Sequence, residues 1–374
     1  MKIVVAPDSF KGALRAGRVA ASFAAGWREV RPQDTVIEFP LSDGGEGVCD
    51  ALAGNGRGTV EQISVHDPLM REVMADIGFT EDFAVLESAG ANGIELLDSD
   101  ELDPMLATTY GVGEALKELL TVRSCRKIII GIGGSATNDA GTGMLQALGF
   151  RFYDARNQEI TDCRGGRLHD IAQIDDTLVP EAVRQSSFTI ACDVDTPFCG
   201  PEGAAPVFAP QKGANPDMVA RLDAGMASFA QVIEDKYNIN IVPLPGAGAA
   251  GGMGGGFRAF LNATLQRGID MVLDAIGFDQ LIQGADLIIT GEGKIDFQTA
   301  KGKTAAGVLA RAKKQGIPVI AIGGCVEMCD SLQQMGFAGI YPITEEKLPL
   351  EIAMQSDIAA ANVEKTVRSK VEGI

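Results

Sequence analysis

The sequence predicts an α/β protein of two domains with mainly parallel sheets, and three observations support this. The chain has 374 residues, whereas single domains usually contain roughly 100–200. Short aliphatic runs alternate with longer segments of helical periodicity, which is the pattern of β-α-β units. Aromatic residues are only 6% of the chain, while 46 residues are glycine. We therefore expect aliphatic cores and loops that depend on glycine for tight turns.

The predicted elements follow one another in a regular order. Apolar residues at helical spacing predict one helix through Val19 and Trp27, a second through Leu116 and Leu120, and a third over residues 304–314. Short aliphatic runs predict strands over residues 3–6, 36–39, 85–87, 127–132, 189–192, 239–244, 287–290 and 319–322.

The order of these elements also predicts the domain organisation. The first β-α-β unit and the last, residues 286–323, resemble two halves of one sheet. We therefore predict a discontinuous α/β domain, flavodoxin-like or Rossmann-like, over residues 1–66 and 284–374. An α/β domain over residues 67–283 would be inserted into it.

Charge and composition exclude several classes of partner. The net charge is −18, and a field of that sign repels nucleic-acid phosphates and anionic lipid. The chain has seven cysteines without a C-x-x-C pair and only two histidines, which are too few suitably spaced ligands for a zinc site. Reduced thiols in a cytosol are the better interpretation. Asp8 and Lys11 interrupt the first apolar run too early for a signal peptide. We expect a cytoplasmic protein that binds small molecules, with a homodimer left open.

Six glycine-bearing segments carry Asp, Glu, Lys, Ser or Thr where an apolar strand is predicted to end. Ligands bind at that edge of open α/β sheets. The first segment, residues 6–12, contains Asp8, Ser9 and Lys11; Asp8 and Ser9 could alternatively cap the next helix. The second, residues 41–47, contains Asp43 and Glu46, which offer hard oxygen ligands, although Asp-Gly is also a common turn.

The third segment, residues 131–143, is entered by a buried strand and followed by a predicted helix. Successive backbone N–H groups near a helix N-terminus can form an anion-binding nest, and serine and threonine hydroxyls add donors. The sequence therefore predicts a phosphate-binding loop formed by Gly133, Gly134, Ser135, Ala136 and Thr137.

The fourth and fifth segments leave alternatives open. Asp193 and Asp195 are spaced i, i+2 after a predicted strand, so on an extended segment they would point to opposite faces. Residues 246–251 match G-x-G-x-x-G, with Asp270 near the distance of a ribose-binding acid, which would suit a nicotinamide oxidoreductase. Seven glycines in the eleven positions 246–256 satisfy that pattern easily, however.

The sixth segment, residues 290–304, mixes carboxylates with cations. Gly302, Lys303 and Thr304 resemble the end of a Walker A loop, but Phe297 stands where its first glycine should be. Glu292, Asp296, Gln298 and Lys303 suit a cleft for Mg²⁺-nucleotide or substrate. With no recognisable nucleophile system in the chain, phosphoryl transfer fits best, since it requires positioning, charge neutralisation and a proton acceptor.

Together these segments resemble the bacterial glycerate kinase family, type 1. The matching stretches are APDSFKG, PLSDGGEG, DPLMREV, TTYGVGE, GIGGSATNDAGTGMLQALG, FAPQKGA, PGAGAAGGMGGG and DLIITGEGKIDFQTAKGK. The resemblance implies transfer of the γ-phosphoryl group of ATP, with Mg²⁺, to D-glycerate, usually at the 2-hydroxyl. It also implies two α/β domains with the active site in the cleft between them.

The resemblance also suggests roles for individual residues. Asp193 is expected to accept the substrate hydroxyl proton, and Lys11, with Arg71 as an alternative, to hold the glycerate carboxylate beside Asp8 and Ser9. Residues 133–137, Gln298 and Lys303 would bind the nucleotide. Asp43, Glu292 and Asp296 would orient Mg²⁺.

Departures from the family pattern are few: Thr196 replaces an Asn, Ala140 a Gly, and Ser88-Ala89 a Met-Ala pair. The Thr196 departure affects the surroundings of Asp193 most. A kinase for a related acid such as tartronate or hydroxypyruvate, the oxidoreductase, and a non-catalytic small-molecule sensor are the competing interpretations.

Overall fold

The computed structural model describes residues 1–54, 56–343 and 348–371. Its strands are β1 (Lys2–Val5), β2 (Thr35–Glu38), β3 (Thr59–His66), β4 (Glu72–Phe79), β5 (Ala84–Glu87), β6 (Lys127–Gly131), β7 (Arg151–Tyr153), β8 (Glu159–Ile160), β9 (Gln173–Asp175), β10 (Ser187–Ala191), β11 (Thr264–Gln266), β12 (Leu287–Ile295), β13 (Val319–Val326) and β14 (Gly339–Pro342).

The α-helices are α1 (Ala16–Val30), α2 (Val48–Ala53), α3 (Ala89–Asn92), α4 (Tyr110–Lys117), α5 (Thr142–Ala147), α6 (Glu181–Arg184), α7 (Ala204–Phe208), α8 (Pro216–Tyr237), α9 (Ala249–Leu261), α10 (Gly268–Ala275), α11 (Phe278–Leu281), α12 (Thr304–Lys314), α13 (Asp330–Gln334), α14 (Leu350–Ala353) and α15 (Ser356–Val371). The chain divides into two compact units, Met1–Asp43 with Ile269–Ile374, and Gly44–Gly268.

The discontinuous unit is built on one parallel sheet of five strands. Its strands lie in the order β2-β1-β12-β13-β14, and every neighbouring pair is parallel. Numbered along this unit, the order is 2-1-3-4-5, the doubly wound arrangement of flavodoxin-like folds. The order reverses between β1 and β12, so the loops after these two strands form the crevice in which such sheets bind ligands.

Sequence patterns account for the packing of this unit. Ile3, Val4 and Val5 are all fully buried, as expected for a central parallel strand covered on both faces. Helix α1 buries Val19, Phe23 and Trp27 within the same apolar cluster as residues of α15. Glycine is required at position 26, because a Cβ there would lie 2.6 Å from the Glu364 carbonyl oxygen.

The continuous unit contains a mixed sheet of six strands and a small antiparallel sheet. The large sheet runs β11-β10-β6-β5-β4-β3, with β5, β6, β10 and β11 parallel and the β3–β4–β5 edge antiparallel. The small sheet runs β8-β7-β9. One aliphatic core, which includes Leu116, Leu120, Ile128 and Ile130, fills the unit. Phe152 packs edge-on against Phe229 and Phe260, which stack on each other.

The glycine-rich stretch enters helix α9 by an irregular turn. Ala250, Gly251 and Gly252 have positive φ angles of 52°, 67° and 89°, and regular helix continues from Met253. In the helix itself, a Cβ at Gly256 would stand 2.4 Å from the Ala140 carbonyl oxygen. The stretch is therefore buried packing, and among the described residues no helix is long and apolar enough to cross a membrane.

Most predicted strands lie within two residues of those observed, and the mainly parallel α/β class is confirmed. The strand predicted over residues 239–244 is wrong: the segment has no strand structure, and Pro243 and Pro245 cannot donate to a ladder. The antiparallel hairpin β3–β4 and the small sheet were not predicted.

The two units also differ from the predicted domain boundaries at 66/67 and 283/284. Strand β3 pairs with β4 along its whole length, so residues 59–66 belong to the continuous unit. Helices α10 and α11 belong to the discontinuous unit, where Asp274 and Asp279 form ion pairs with Arg311 of α12 at 2.6 and 2.8 Å.

Candidate functional site

Three carboxylates follow the central strands of the discontinuous unit. Asp8 lies in the loop after β1, Asp43 in the segment after β2, and Glu292 within the carboxyl-terminal half of β12. Because β1 lies between β12 and β2 and all three run parallel, these side chains reach the same edge of the sheet. That edge contains the β1/β12 crevice.

Asp8 is buried and hydrogen-bonded on both carboxylate oxygens. Its Oδ2 accepts from the Thr304 hydroxyl at 2.6 Å, and its Oδ1 accepts from the Ser9 N–H at 2.6 Å. Burial and then repulsion from Asp43 raise the pKa of Asp8 to about 6, although these hydrogen bonds and Lys11 act in the opposite direction. Asp8 thus joins the first strand to the start of α12.

Glu292 is held at the same helix end. Its Oε1 accepts from the Ala305 N–H at 3.0 Å, and its Oε2 lies 3.5 Å from the Thr299 hydroxyl. Burial raises the pKa of Glu292 to about 7; the Ala305 N–H lowers it, and Asp8 and Asp43 raise it further. The three carboxylates therefore repel one another in a poorly solvated site, which favours a cation nearby.

Two lysines accompany these carboxylates. The Lys11 Nζ lies 3.5 Å from Asp43 Oδ2, and 61% of the Lys11 side chain is exposed. Lys303 precedes the first residue of α12 and, by its charge, lowers the pKa of Glu292. Asp8, Ser9, Lys11, Asp43, Glu292 and Lys303 all line one cavity of ≈ 420 Å³. Within it the buried Ser9 hydroxyl has no hydrogen-bond partner among the described residues.

Asp296 and Gln298 are held within their own loop. Asp296 Oδ1 accepts from the Gln298 N–H at 2.8 Å, and its Oδ2 lies 3.2 Å from the Lys294 Nζ. Burial raises the pKa of Asp296, but these two contacts and Lys303 together lower it below its usual value. Neither residue is among those that line the cavity. In the described part of the chain, no group of three or more His, Cys, Asp or Glu side chains is arranged to hold a metal.

In the continuous unit, the loop after β6 is paired with residues 92–94. The Ile94 N–H donates to the Gly134 carbonyl, and the Ala136 N–H donates to the Asn92 carbonyl, both at 2.8 Å. Gly134 has φ 72°, and Gly133 and Gly134 are exposed. Within the predicted nest, the Ala136 N–H is therefore engaged inside the protein, and Thr137 is fully buried.

Lys212 lies beneath this loop and is itself buried. Its Nζ donates to the Ser135 Oγ at 2.8 Å and to the Thr137 carbonyl at 2.6 Å. Burial lowers the pKa of Lys212 to about 7, with Asp139 opposing the shift. The ammonium thus fixes two positions of the predicted phosphate loop from the protein interior.

Asp139 uses the donors at the end of the same loop. Its fully buried carboxylate accepts from the Thr109 N–H and hydroxyl and from the N–H groups of Gly141 and Gly143. Gly141 and Gly143 lie in the glycine-bearing segment 131–143, after the predicted nest, and their N–H groups stabilise the start of α5.

Asp193 follows β10 and is exposed to solvent. Its Oδ1 accepts from the N–H of Gly268, the first residue of α10, at 2.9 Å. Its position at the carboxyl end of a parallel strand suits a group that meets a ligand.

Arg71 is held by contacts within the β3–β4 hairpin and its neighbours. Its guanidinium donates to Asp67 at 2.6 Å, to Glu101 at 2.8 Å and to the Leu96 carbonyl at 3.2 Å. Asp67 also accepts from the Leu69 and Arg71 N–H groups, which closes the turn. These contacts favour a structural role for Arg71 over a substrate contact.

The comparisons with known proteins cover the whole chain. The sequence profile described as "Glycerate kinase family" matches residues 3–372. The chain belongs to the glycerate kinase family. This confirms the resemblance inferred from the motifs.

Among its relatives in the glycerate kinase family, a protein named glycerate kinase from Bacillus subtilis strain 168 is 43% identical over 98% of this chain and 96% of its own length. A protein named glycerate 2-kinase from Escherichia coli K12 is 41% identical over 87% of this chain and 85% of its own length. A crystal structure assigned as glycerate kinase 2 from Salmonella typhimurium LT2 has a TM-score of 0.91 and 39% identity, and covers 100% of this chain and 98% of its own.

In this member of the glycerate kinase family, the G-x-G-x-x-G match has a packing explanation. No strand precedes it, and a Cβ at Gly248 or Gly251 would lie 2.2 Å from the Pro197 carbonyl oxygen or 2.1 Å from that of Thr137. The glycines therefore admit protein backbone where a dinucleotide fingerprint would admit a pyrophosphate. The structure offers no support for the oxidoreductase interpretation.

Two residues of the site were not recognised as such from the sequence. Thr304, noted only as part of a Walker-like ending, orients Asp8, and Lys212, present only within the matching stretch FAPQKGA, orients Ser135. Each pairs with a residue far away along the chain. Lys212, which Gly213 follows, could have been recognised from the sequence as a candidate site residue, but its partner Ser135 could not be inferred from sequence spacing.

Proposed function

We propose that the protein transfers the γ-phosphoryl group of ATP to the 2-hydroxyl of D-glycerate, giving 2-phosphoglycerate and ADP. The observation that supports this most is the cavity at the β1/β12 crevice, where three carboxylates meet Lys11 and Lys303 in a member of the glycerate kinase family. The name glycerate 2-kinase of the Escherichia coli relative supports the choice of hydroxyl.

Lys11 and Lys303 supply the positive charge that two anionic substrates need. Lys11 is exposed enough to reach a substrate carboxylate, and Asp43 lies beside it. We assign Lys11 to the glycerate carboxylate, next to Asp8 and Ser9, and Lys303 to the phosphates. The unpartnered Ser9 hydroxyl is a hydrogen-bonding group suited to the same ligand.

The carboxylates of the cavity fit a magnesium ion. Mg²⁺ binds oxygen ligands, keeps several waters and usually takes one or two protein carboxylates together with substrate phosphates. Asp43 and Glu292 are the carboxylates we assign to it; Asp296 is a weaker candidate, because Lys294 and Gln298 already contact its two oxygens. The ion would neutralise charge on the transferring phosphoryl group.

Asp193 and the loop after β6 supply the remaining groups. We assign the proton acceptor role to Asp193, an exposed carboxylate that follows the carboxyl end of β10. Since Lys212 donates into the Ser135 Oγ, the Ser135 hydroxyl hydrogen points to another acceptor, for which a phosphate oxygen is suited. Exposed Gly133 and Gly134 can offer N–H groups beside it.

The test is phosphorus NMR of the protein incubated with ATP, Mg²⁺ and D-glycerate. We expect the resonance of 2-phosphoglycerate to grow with that of ADP. L-glycerate, tartronate and hydroxypyruvate, supplied in turn, define the acceptor. Formation of 3-phosphoglycerate would overturn the choice of hydroxyl, and turnover with another acid but not D-glycerate would overturn the substrate.

We also propose that the enzyme works in the cytoplasm. All seven cysteines are free thiols, and five of them, Cys325 most of all, are at least partly accessible. Such thiols persist in a reducing compartment. Fractionation of the source cells with an antibody against the protein tests this, and recovery from an oxidising compartment would contradict it.

A further inference from the structure

The side chains that line the cavity of the discontinuous unit include two chemically different groups. One, which we call the charged wall, consists of Asp8, Lys11, Asp43, Glu292, Lys294 and Lys303. The other, which we call the apolar wall, consists of Phe10, Ala13, Ile343, Ala353, Met354 and Ala359. A ligand that fills both must itself be polar at one end and apolar at the other.

The apolar wall is built partly from the protein core. Phe10 packs edge-on against Phe23 with ring centroids 6.5 Å apart, and Ile343 and Ala359 are buried. Met354 completes the wall from the surface: 37% of it is exposed, and its Cε lies 2.6 Å from where a Cβ at Gly12 would stand. A flat apolar group lying here would remove the Met354 side chain from water.

Glycerate does not require such a wall. It is a three-carbon acid in which every carbon bears oxygen, so its recognition depends on charges and hydrogen bonds. A cavity of ≈ 420 Å³ is in the usual range for larger ligands, roughly 300–1,000 Å³, and such ligands bury apolar surface against pockets of this kind. A purine nucleotide matches both walls.

We propose that the apolar wall binds the purine base of the nucleoside triphosphate, with its phosphates directed to Lys303 on the charged wall. This inference rests on the proposed function, which requires ATP. It assigns the base to residues that take no part in the proposed phosphoryl transfer. The position agrees with the rule that nucleotides bind where strand order reverses in doubly wound sheets. Residues at the start of α12 then face the phosphates.

The test compares a nucleotide with its phosphate chain alone. Isothermal titration gives dissociation constants for Mg²⁺-ATP and Mg²⁺-tripolyphosphate with the wild type, Met354→Gln and the control Met328→Gln. Met328 is 51% exposed, belongs to the same unit and lies outside the cavity. Ala353→Leu adds bulk to the apolar wall and so reduces the space in the cavity. It is a second variant in case Met354→Gln alters folding.

We expect Met354→Gln to raise the dissociation constant of ATP about five- to tenfold through lost apolar contact, and to leave tripolyphosphate within about twofold. Met328→Gln should change neither. Unchanged ATP affinity in both Met354→Gln and Ala353→Leu, or an equal loss for ATP and tripolyphosphate, would overturn the assignment.

The same experiment separates this inference from the proposed function. If ATP binding depends on Met354 but D-glycerate is not phosphorylated, the nucleotide site stands and the acceptor is wrong. If D-glycerate is phosphorylated with an unaltered KM for ATP in Met354→Gln, the function stands and the base binds elsewhere.

Discussion

Lys212 shows how a single buried side chain can define a loop. An ammonium has three donors and no acceptor, and Lys212 directs two of them to Ser135 and Thr137. Removing it leaves the Thr137 carbonyl without this donor and lets the Ser135 hydroxyl rotate. The loop would lose the orientation that we assign to phosphate binding.

We predict that Lys212→Met lowers kcat/KM for ATP by about 10- to 100-fold, the range expected for a lost positioning contact. Ser135→Ala should give a similar loss. Because both act through one hydroxyl, the double variant should be little worse than either single variant. Steady-state kinetics of all three tests this, and additive losses would contradict a shared role.

Asp193 allows a cleaner separation of chemistry from stability. Asp193→Asn keeps an oxygen to accept from Gly268 but cannot take a proton at neutral pH. We expect kcat to fall by about 10²- to 10⁴-fold, as for loss of a general base. Thermal unfolding should be almost unchanged. Near-normal kcat would place the proton acceptor elsewhere.

For individual residues, the sequence predicted which side chains lie at the sheet edge better than it predicted which side chains contact one another. Lys11, Asp43, Glu292 and Lys303 were found because polar residues after apolar strands meet at one sheet edge. The two residues of the Asp8–Thr304 pair are 296 positions apart in the sequence, and those of the Lys212–Ser135 pair are 77 apart. Local sequence spacing therefore could not predict either pair. The contact between Arg71 and Glu101, 30 residues apart, could not be inferred from spacing either.

Helix α9 illustrates how glycine can be required inside a helix. Exposed helical glycine is usually less stable than alanine by roughly 0.5–1 kcal/mol. Gly256 differs because the Ala140 carbonyl oxygen occupies the space beside it. Backbone of the loop after β6 can approach the helix only where no side chain intervenes.

We predict that Gly256→Ala destabilises the protein by about 1–3 kcal/mol, the usual cost of overpacking a core. The matched control is Gly17→Ala, at an exposed position of α1. It should be neutral or stabilising by about 0.5 kcal/mol. Urea unfolding of both variants tests this, and a stabilising Gly256→Ala would show that the contact is not tight.

The elements that sequence reasoning missed are those with weak periodicity. The β3–β4 hairpin is mostly exposed on one face, and polar residues interrupt its apolar ones, so neither strand was recognised as an aliphatic run. Residues 239–244 were predicted as such a run, but only Ile241 is fully buried there, and Pro243 interrupts the segment. Apolar runs predict burial more reliably than they predict strand.

For the whole molecule, the buried Lys212 predicts a pH dependence of stability. Its pKa is lowered in the folded state, so between about 7 and the ordinary lysine value the unfolded chain holds a proton that the folded chain lacks. Stability from this group therefore rises with pH across that window and is flat below it. Relative to Lys212→Met, the wild type should gain unfolding free energy from pH 7 to pH 10.

Urea unfolding of the two proteins at several pH values checks this. Taking the difference between them cancels the titration of all other groups. A difference that stays constant over the window would mean that Lys212 keeps its proton inside the protein.

The domain boundaries depend on contacts between distant parts of the chain as well as on the order of its elements. Sequence order alone indicated that the first and last segments share a sheet, and the parallel pairing of β1 with β12 agrees with this. The exact residues at which the chain passes from one unit to the other depend on contacts such as the Arg311 ion pairs and the β3–β4 ladder. No local sequence pattern encodes these contacts.

The central claim is that the cavity after β1, β2 and β12 is where phosphoryl transfer takes place. The most direct measurement is kcat/KM for D-glycerate-dependent ADP formation by Asp43→Asn, beside Asp357→Asn, a carboxylate that is 93% exposed on α15 of the same unit. We predict a loss of about 10²-fold or more for Asp43→Asn, as expected when charge stabilisation is removed from a reacting phosphoryl group. Asp357→Asn should match the wild type. Wild-type kinetics in Asp43→Asn would contradict the account.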